Sequence, residues 1–168
     1  MSLNNIQLPA SLHASMFKNS LIDLKFKPDG QILQEENKLE FLGGNEKKII
    51  FLTNDDQNKF ISDSAIIFLN ALLNACSLTL ADIALINFNQ YKMVRYSELT
   101  DRLNARKVLI FGISADKLSL PFTIPFFQVQ KFQEAVFLFC PSLEEVQRDK
   151  ELKKQLWNCL QKIFNIKK

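Results

Sequence analysis

Glycine is scarce in this chain: four residues in 168, at Gly30, Gly43, Gly44 and Gly112. A loop that cradles a phosphate needs several glycines so that backbone can approach the anion. None of the four falls into G-x-G-x-x-G or G-x-x-x-x-G-K-[ST], which argues against nucleotide binding through those motifs. Histidine occurs once, at His13. A Ser-His-Asp or Cys-His pair would have to use that one residue, and a lone helix histidine is most often ordinary surface or interface. The three cysteines, Cys76, Cys140 and Cys159, are far apart and form no C-x-x-C pair. Zinc and iron–sulfur sites are therefore not expected, and neither is any other cofactor. Each cysteine sits among apolar residues, where a free thiol behaves as a small hydrophobe. Unpaired cysteines point to a reducing compartment, so a cytoplasmic location is expected. No basic segment followed by an apolar core opens the chain, so no signal peptide is expected. No apolar run approaches the roughly 18–20 residues a membrane span needs.

What is present suits one folded domain. Hydrophobic residues make up 47% of the chain, and fifteen are phenylalanine. Aromatic side chains bury much area each, so most of these belong to a core. The net charge of +3 is a slight basic bias, well short of the strongly basic face of a dedicated nucleic-acid binder. It allows weak DNA contact and does not argue for it.

The pattern along the chain divides a single domain, 1–168, into an N-terminal segment (1–28) and an α/β core (29–168). Leu12, Met16, Phe17, Leu21 and Leu24 recur at three- and four-residue spacing, predicting an amphipathic helix over about 9–24. Such a helix either packs on its own domain or docks on a partner protein. Pro28-Asp29-Gly30 signals a turn, and residues 32–34 and 39–42 read as a small antiparallel hairpin. Three runs are then continuously apolar, at 49–52, 83–86 and 108–111. Parallel strands covered on both faces have that character. Helices are predicted over 63–75, with Ser62 as N-cap, and over 97–104. The first is apolar nearly all round and is expected to be deeply buried. A further apolar strand is expected at 135–139, and 126–132 alternates enough for an edge strand. Ser142 and Glu145 form a capping box that starts a helix. A last helix is expected over 149–164. The fold expected is a three-layer α/β/α domain around a mainly parallel, four-stranded central sheet.

Ligands of α/β sheets bind at the carboxyl ends of the strands. Three such ends carry polar residues: Thr53-Asn54-Asp55-Asp56-Gln57, Asn87-Phe88-Asn89-Gln90 and Cys140-Pro141-Ser142-Leu143. These residues either converge on one crevice or are turn chemistry, since Asn, Asp and Ser are what loops use anyway.

In type and order, the three segments resemble the motif positions of the uracil-DNA glycosylase superfamily. That family has an α/β/α fold around a parallel four-stranded sheet. It carries a Gly-Gln-Asp-Pro-Tyr-type loop after the first strand, an asparagine at the end of the second and a His-Pro-Ser loop after the last. The resemblance implies that Asn54-Asp55 matches the Gln-Asp pair, that Asn87 matches the base-reading asparagine, and that Cys140-Pro141-Ser142 matches His-Pro-Ser. It spans about residues 49–164 and includes the helix bearing Trp157. The departures bear on activity. Thr53 stands for the glycine, Asp56 and Gln57 for Pro-Tyr, and Cys140 for the histidine that stabilises charge on the departing base. A neutral thiol is a weak donor and cannot replace imidazole in that role. The resemblance thus implies a degenerate pocket of Asp55, Asn87, Cys140 and Ser142 with no catalytic residues.

The chain is also similar to a catalytically silent branch of this fold class, the psi subunits of bacterial DNA polymerase III. Residues 140–146, Cys-Pro-Ser-Leu-Glu-Glu-Val, followed by Lys154-Gln155-Leu156-Trp157, parallel the Ser-Pro-Ala-Leu stretch and Ala-Leu-Trp-Gln-Gln helix of those subunits. This resemblance implies a non-catalytic interaction module with protein partners among replication accessory proteins. Two alternatives stand beside it: a DNA-base glycosylase using Asp55 and Asn87, and a small-molecule-binding α/β protein.

Overall fold

In the computed structural model the structure describes residues 39–91 and 95–166, and residues 39–166 cluster as one compact unit. The predicted helix over 9–24, His13 and residues 32–34 of the predicted hairpin lie outside the described residues.

The unit is an α/β domain. Its strands are β1 (Ile49–Thr53), β2 (Ile83–Asn87), β3 (Lys107–Phe111), β4 (Val129–Phe132) and β5 (Ala135–Cys140). Its helices are α1 (Asp63–Ala75), α2 (Tyr96–Leu103), α3 (Leu143–Arg148) and α4 (Lys150–Phe164). The sheet order is β2-β1-β3-β5-β4. The first four strands in that order pair parallel, and β4 pairs antiparallel with β5.

The continuously apolar strands are buried on both sides because each face of the sheet carries its own core. Ile49 and Phe51 of β1 point into one core with Leu69 and Leu73 of α1, Val146 of α3, and Leu156 and Leu160 of α4. Ile50 and Leu52 point into the other, with Leu99 and Leu103 of α2, Leu118 and Ile124. Every residue of β1 and β2 is buried. That is the physical reason their sequences do not alternate.

The expected four strands are corrected to five. Val129–Phe132 joins β5 through a tight turn at Gln133-Glu134, with Phe132 opposite Ala135. Val129, Gln130 and Lys131 are exposed, so an edge strand of this kind leaves only a partial alternation in sequence. Residues 39–42 form no strand of their own. Leu42 makes one antiparallel bridge with Leu85 of β2. The chain then runs along β2, with Asn45 N–H donating to Ile83 O at 2.9 Å and Lys47 N–H to Asp82 O at 3.0 Å. This stretch covers the outer edge of β2.

Helix α1 begins where its cap predicts, with Ser62 accepting from the Ala65 N–H. The expectation of a deeply buried helix holds for its core-facing side only. Ala65, Leu69 and Leu73 are buried, but Ile67 is 71% exposed, because a helix packed on one face of a sheet leaves its far side outside. Helix α3 starts with the capping box, Ser142 Oγ accepting from Glu145 N–H and Glu145 Oε2 accepting from Ser142 N–H at 2.9 Å. Asp149 caps α4 through the Glu151 and Leu152 N–H groups.

Candidate functional site

The three polar segments lie at one end of the sheet, where parallel strands end level. Thr53 is opposite Asn87, and Phe111 is opposite Cys140. Asn87 and Cys140 therefore share an end but sit on β2 and β5, three strand spacings apart in the order β2-β1-β3-β5. At about 4.8 Å per spacing that separation is roughly 14 Å.

Asp55 and Asn87 are brought together. The Asp55 N–H donates to Asn87 Oδ1 at 3.1 Å, and Asn87 Nδ2 donates back to the Asp55 carbonyl at 2.7 Å. The same amide nitrogen donates to the Asn58 carbonyl at 2.9 Å, and Oδ1 accepts from the Asn89 N–H at 3.1 Å. Asn87 is 1% exposed. Both hydrogens of its amide and both lone-pair directions of its oxygen are occupied by backbone.

The Asp55 carboxylate is also engaged, accepting from the Gln57 and Asn58 N–H groups at 2.9 Å each and from Asn58 Nδ2 at 3.0 Å. Burial pushes this carboxyl up. The Asn58 side chain and the backbone donors together outweigh that effect and hold it below the ordinary carboxylate value. Asp56 accepts from Asn89 Nδ2. The loop after β1 and the loop after β2 are thereby laced to each other.

Thr53 is buried. Its hydroxyl lies 3.3 Å from the carbonyls of both Phe60 and Ile86. Cys140 is 0% exposed and belongs to the core beneath α3 and α4. Burial is the main cause that pushes its thiol far above the ordinary range, with Cys159 nearby adding to it. It is neither a donor to solvent nor a nucleophile. Ser142 is spent on its capping box, its hydroxyl lying 2.9 Å from Glu145 Oε2.

Two small hollows lie at this end among the described residues. One hollow of about 10 Å³ touches Thr53, Asp55, Phe111 and Ser142. A second of about 10 Å³ touches Asn87, Lys59, Phe60 and Tyr91. Each has room for about one water molecule. Asp55 and Ser142 thus share one hollow, Asn87 lines another, and Cys140 lines neither. Beside the second hollow, Tyr91 Oη accepts from the Glu40 N–H at 2.7 Å and Lys59 pairs with Glu40 at 2.7 Å. The sequence gives no sign of that contact, since Glu40 and Tyr91 are fifty-one residues apart.

A larger cavity of about 300 Å³ lies at the opposite end of the sheet, where β3 and β5 begin. None of the sequence-predicted site residues lines it.

No group of His, Cys, Asp and Glu side chains among the described residues is placed to hold a metal ion. No helix among them is long and apolar enough to cross a membrane. No protein-family model matches the chain, and no curated protein matches it.

Proposed function

We propose that this chain is a non-catalytic interaction module with a three-layer, glycosylase-like fold, and that it serves as a psi-like accessory subunit of the clamp-loader assembly of bacterial DNA polymerase III. The observation that carries the non-catalytic part is the state of Asn87. A base-reading asparagine must present its amide to a flipped pyrimidine. Here that amide is turned inward and saturated by the backbone of Asp55, Asn58 and Asn89. The buried Cys140 and the one-water hollows support the same reading. The run of four parallel strands with polar loops at their carboxyl ends supports the glycosylase-like arrangement. The accessory-subunit reading rests on the similarity of residues 140–157 to psi subunits. DNA contact is a minor, weak part of this role at a net charge of +3.

The test is affinity purification of the tagged full-length chain from its native host, followed by mass spectrometry. Co-purification of clamp-loader subunits at stoichiometric yield is the expected result. Recovery of the chain alone, or with proteins unrelated to replication, contradicts the accessory-subunit reading.

A further inference from the structure

We propose that the cavity at the amino-terminal end of the sheet binds a small organic cation, namely an amine carried on an apolar stem about the size of one aromatic ring. This inference does not rest on the proposed function and concerns the opposite end of the molecule.

The cavity is formed where α2 ends, β3 begins and the β4–β5 hairpin turns. Its volume of about 300 Å³ is at the lower end of the range for small-molecule sites, so one ring with a short arm fits within it. Its apolar wall is aromatic. Tyr96, Phe132 and Phe137 meet pairwise, with ring centroids 5.8 Å apart for Tyr96–Phe132, 6.1 Å for Tyr96–Phe137 and 6.4 Å for Phe132–Phe137. Phe137 is 1% exposed and forms the floor, whereas Tyr96 and Phe132 remain partly open. Rings at such a wall offer apolar contact and, through their faces, attraction for a cation.

Charge selects the other end of the ligand. Among the described residues, the charged side chains lining the cavity are Asp101, Glu134 and Arg106. Arg106 is held by Glu134 at 2.8 Å. Two carboxylates against one guanidinium leave an excess of negative charge. Helix α2 adds to it, because it ends at this cavity with Asn104 in the left-handed conformation and a helix C-terminus carries partial negative charge. Lys107, next in sequence to Arg106, does not offset this. Its ammonium lies over the Phe164 ring, 5.3 Å from the centroid, and Phe164 packs against the core on the other face of the sheet. An anionic ligand would find Arg106, the one lining cation among the described residues, already paired.

The test is a titration of the ¹⁵N-labelled full-length chain by NMR with three probes of one shape: phenethylamine, 2-phenylethanol and phenylacetate. The expected result is saturable shifts at Tyr96, Asp101 and Phe132, with the amine bound at least about tenfold more tightly than the carboxylate. Asp101→Asn combined with Glu134→Gln changes exposed positions and leaves Arg106 as the only lining charge among the described residues. In that variant the order should reverse, with phenylacetate bound more tightly than phenethylamine. The proposal is overturned if the wild type binds none of the probes, binds the carboxylate or alcohol as tightly as the amine, or shifts at other residues. It is equally overturned if the double variant keeps the wild-type order.

Discussion

Asp55 and Asn87 exchange hydrogen bonds across the gap between two strand ends: the Asp55 N–H donates to Asn87 Oδ1 at 3.1 Å, and Asn87 Nδ2 donates to the Asp55 carbonyl at 2.7 Å. The pair makes the asparagine a structural clip between the β1 and β2 loops. Replacing it by alanine leaves the N–H groups of Asp55 and Asn89 and the carbonyls of Asp55 and Asn58 without their partner. Buried polar groups stripped of a partner cost about 1–3 kcal/mol each before relaxation and water entry. Asn87→Ala should therefore lower the unfolding free energy by about 2–4 kcal/mol in a urea titration. A loss below about 1 kcal/mol would mean that the amide is not holding the loops.

The Asp55 carboxylate should show itself in acid. Hydrogen bonds from Asn58 and the adjacent backbone outweigh the opposing effect of burial and depress its value in the folded state. A depressed folded value contributes stability in full above the unfolded value, near 3.8, and that contribution is lost as pH falls through the lower folded value. Asp82 is depressed as well, chiefly by the Thr79 N–H, so the wild type alone does not isolate Asp55. The difference between wild type and Asp55→Asn does. The wild type should be the more stable at neutral pH, with the gap in Tm narrowing as pH drops below about 4. A gap that is constant across pH would contradict the assignment.

Much of the sheet was legible in the sequence, and the reasons are local. Residues 49–52, 83–86 and 108–111 are continuously apolar because two cores, one on each face, both need them. Ser62 and the Ser142/Glu145 pair announced helix starts through side chains that bond only three residues away. The fifth strand was only half legible, since Val129, Gln130 and Lys131 face outward and bury little. The position of Asp55 and Asn87 at one sheet end followed from strand polarity. Their direction did not: whether an amide faces a pocket or the backbone depends on contacts thirty-two residues apart. The large cavity was not legible either, because Tyr96, Asp101 and Phe132 meet only through the packing of α2 against the β4–β5 hairpin.

The covered edge of β2 depends on Gly43 and Gly44. Gly43 has φ +116°, and a Cβ there would stand 2.2 Å from Ile83 O and 2.5 Å from Leu80 O. A Cβ on Gly44 would stand 2.5 Å from Ala81 O. The obstacles are backbone, so the strap must lift. Gly43→Ala should cost about 3 kcal/mol or more and speed amide exchange at Asn45 and Lys47, whose N–H groups bond β2 and the turn before it. Unchanged exchange at these two amides would contradict the packing.

Cys140→His introduces the residue that the proposed resemblance to active glycosylases would place there. It should not produce catalysis. The site is 0% exposed and lies in the core, so a larger, polar ring there costs about 1–3 kcal/mol from overpacking alone, with desolvation of the imidazole in addition. The expected outcome is a lower Tm and no excision. A variant as stable as the wild type and active on uracil would show that the pocket opens.

The central claim is that the carboxyl end of this sheet is closed to a base, and the most direct measurement is a uracil-excision assay on single- and double-stranded DNA, run on the wild type and Asp55→Ala side by side. No excision by either protein is the predicted result, because Asn87 is saturated, Cys140 is buried and the hollows each hold about one water. Robust excision by the wild type that disappears in Asp55→Ala would contradict the account and assign the chain to the enzymes.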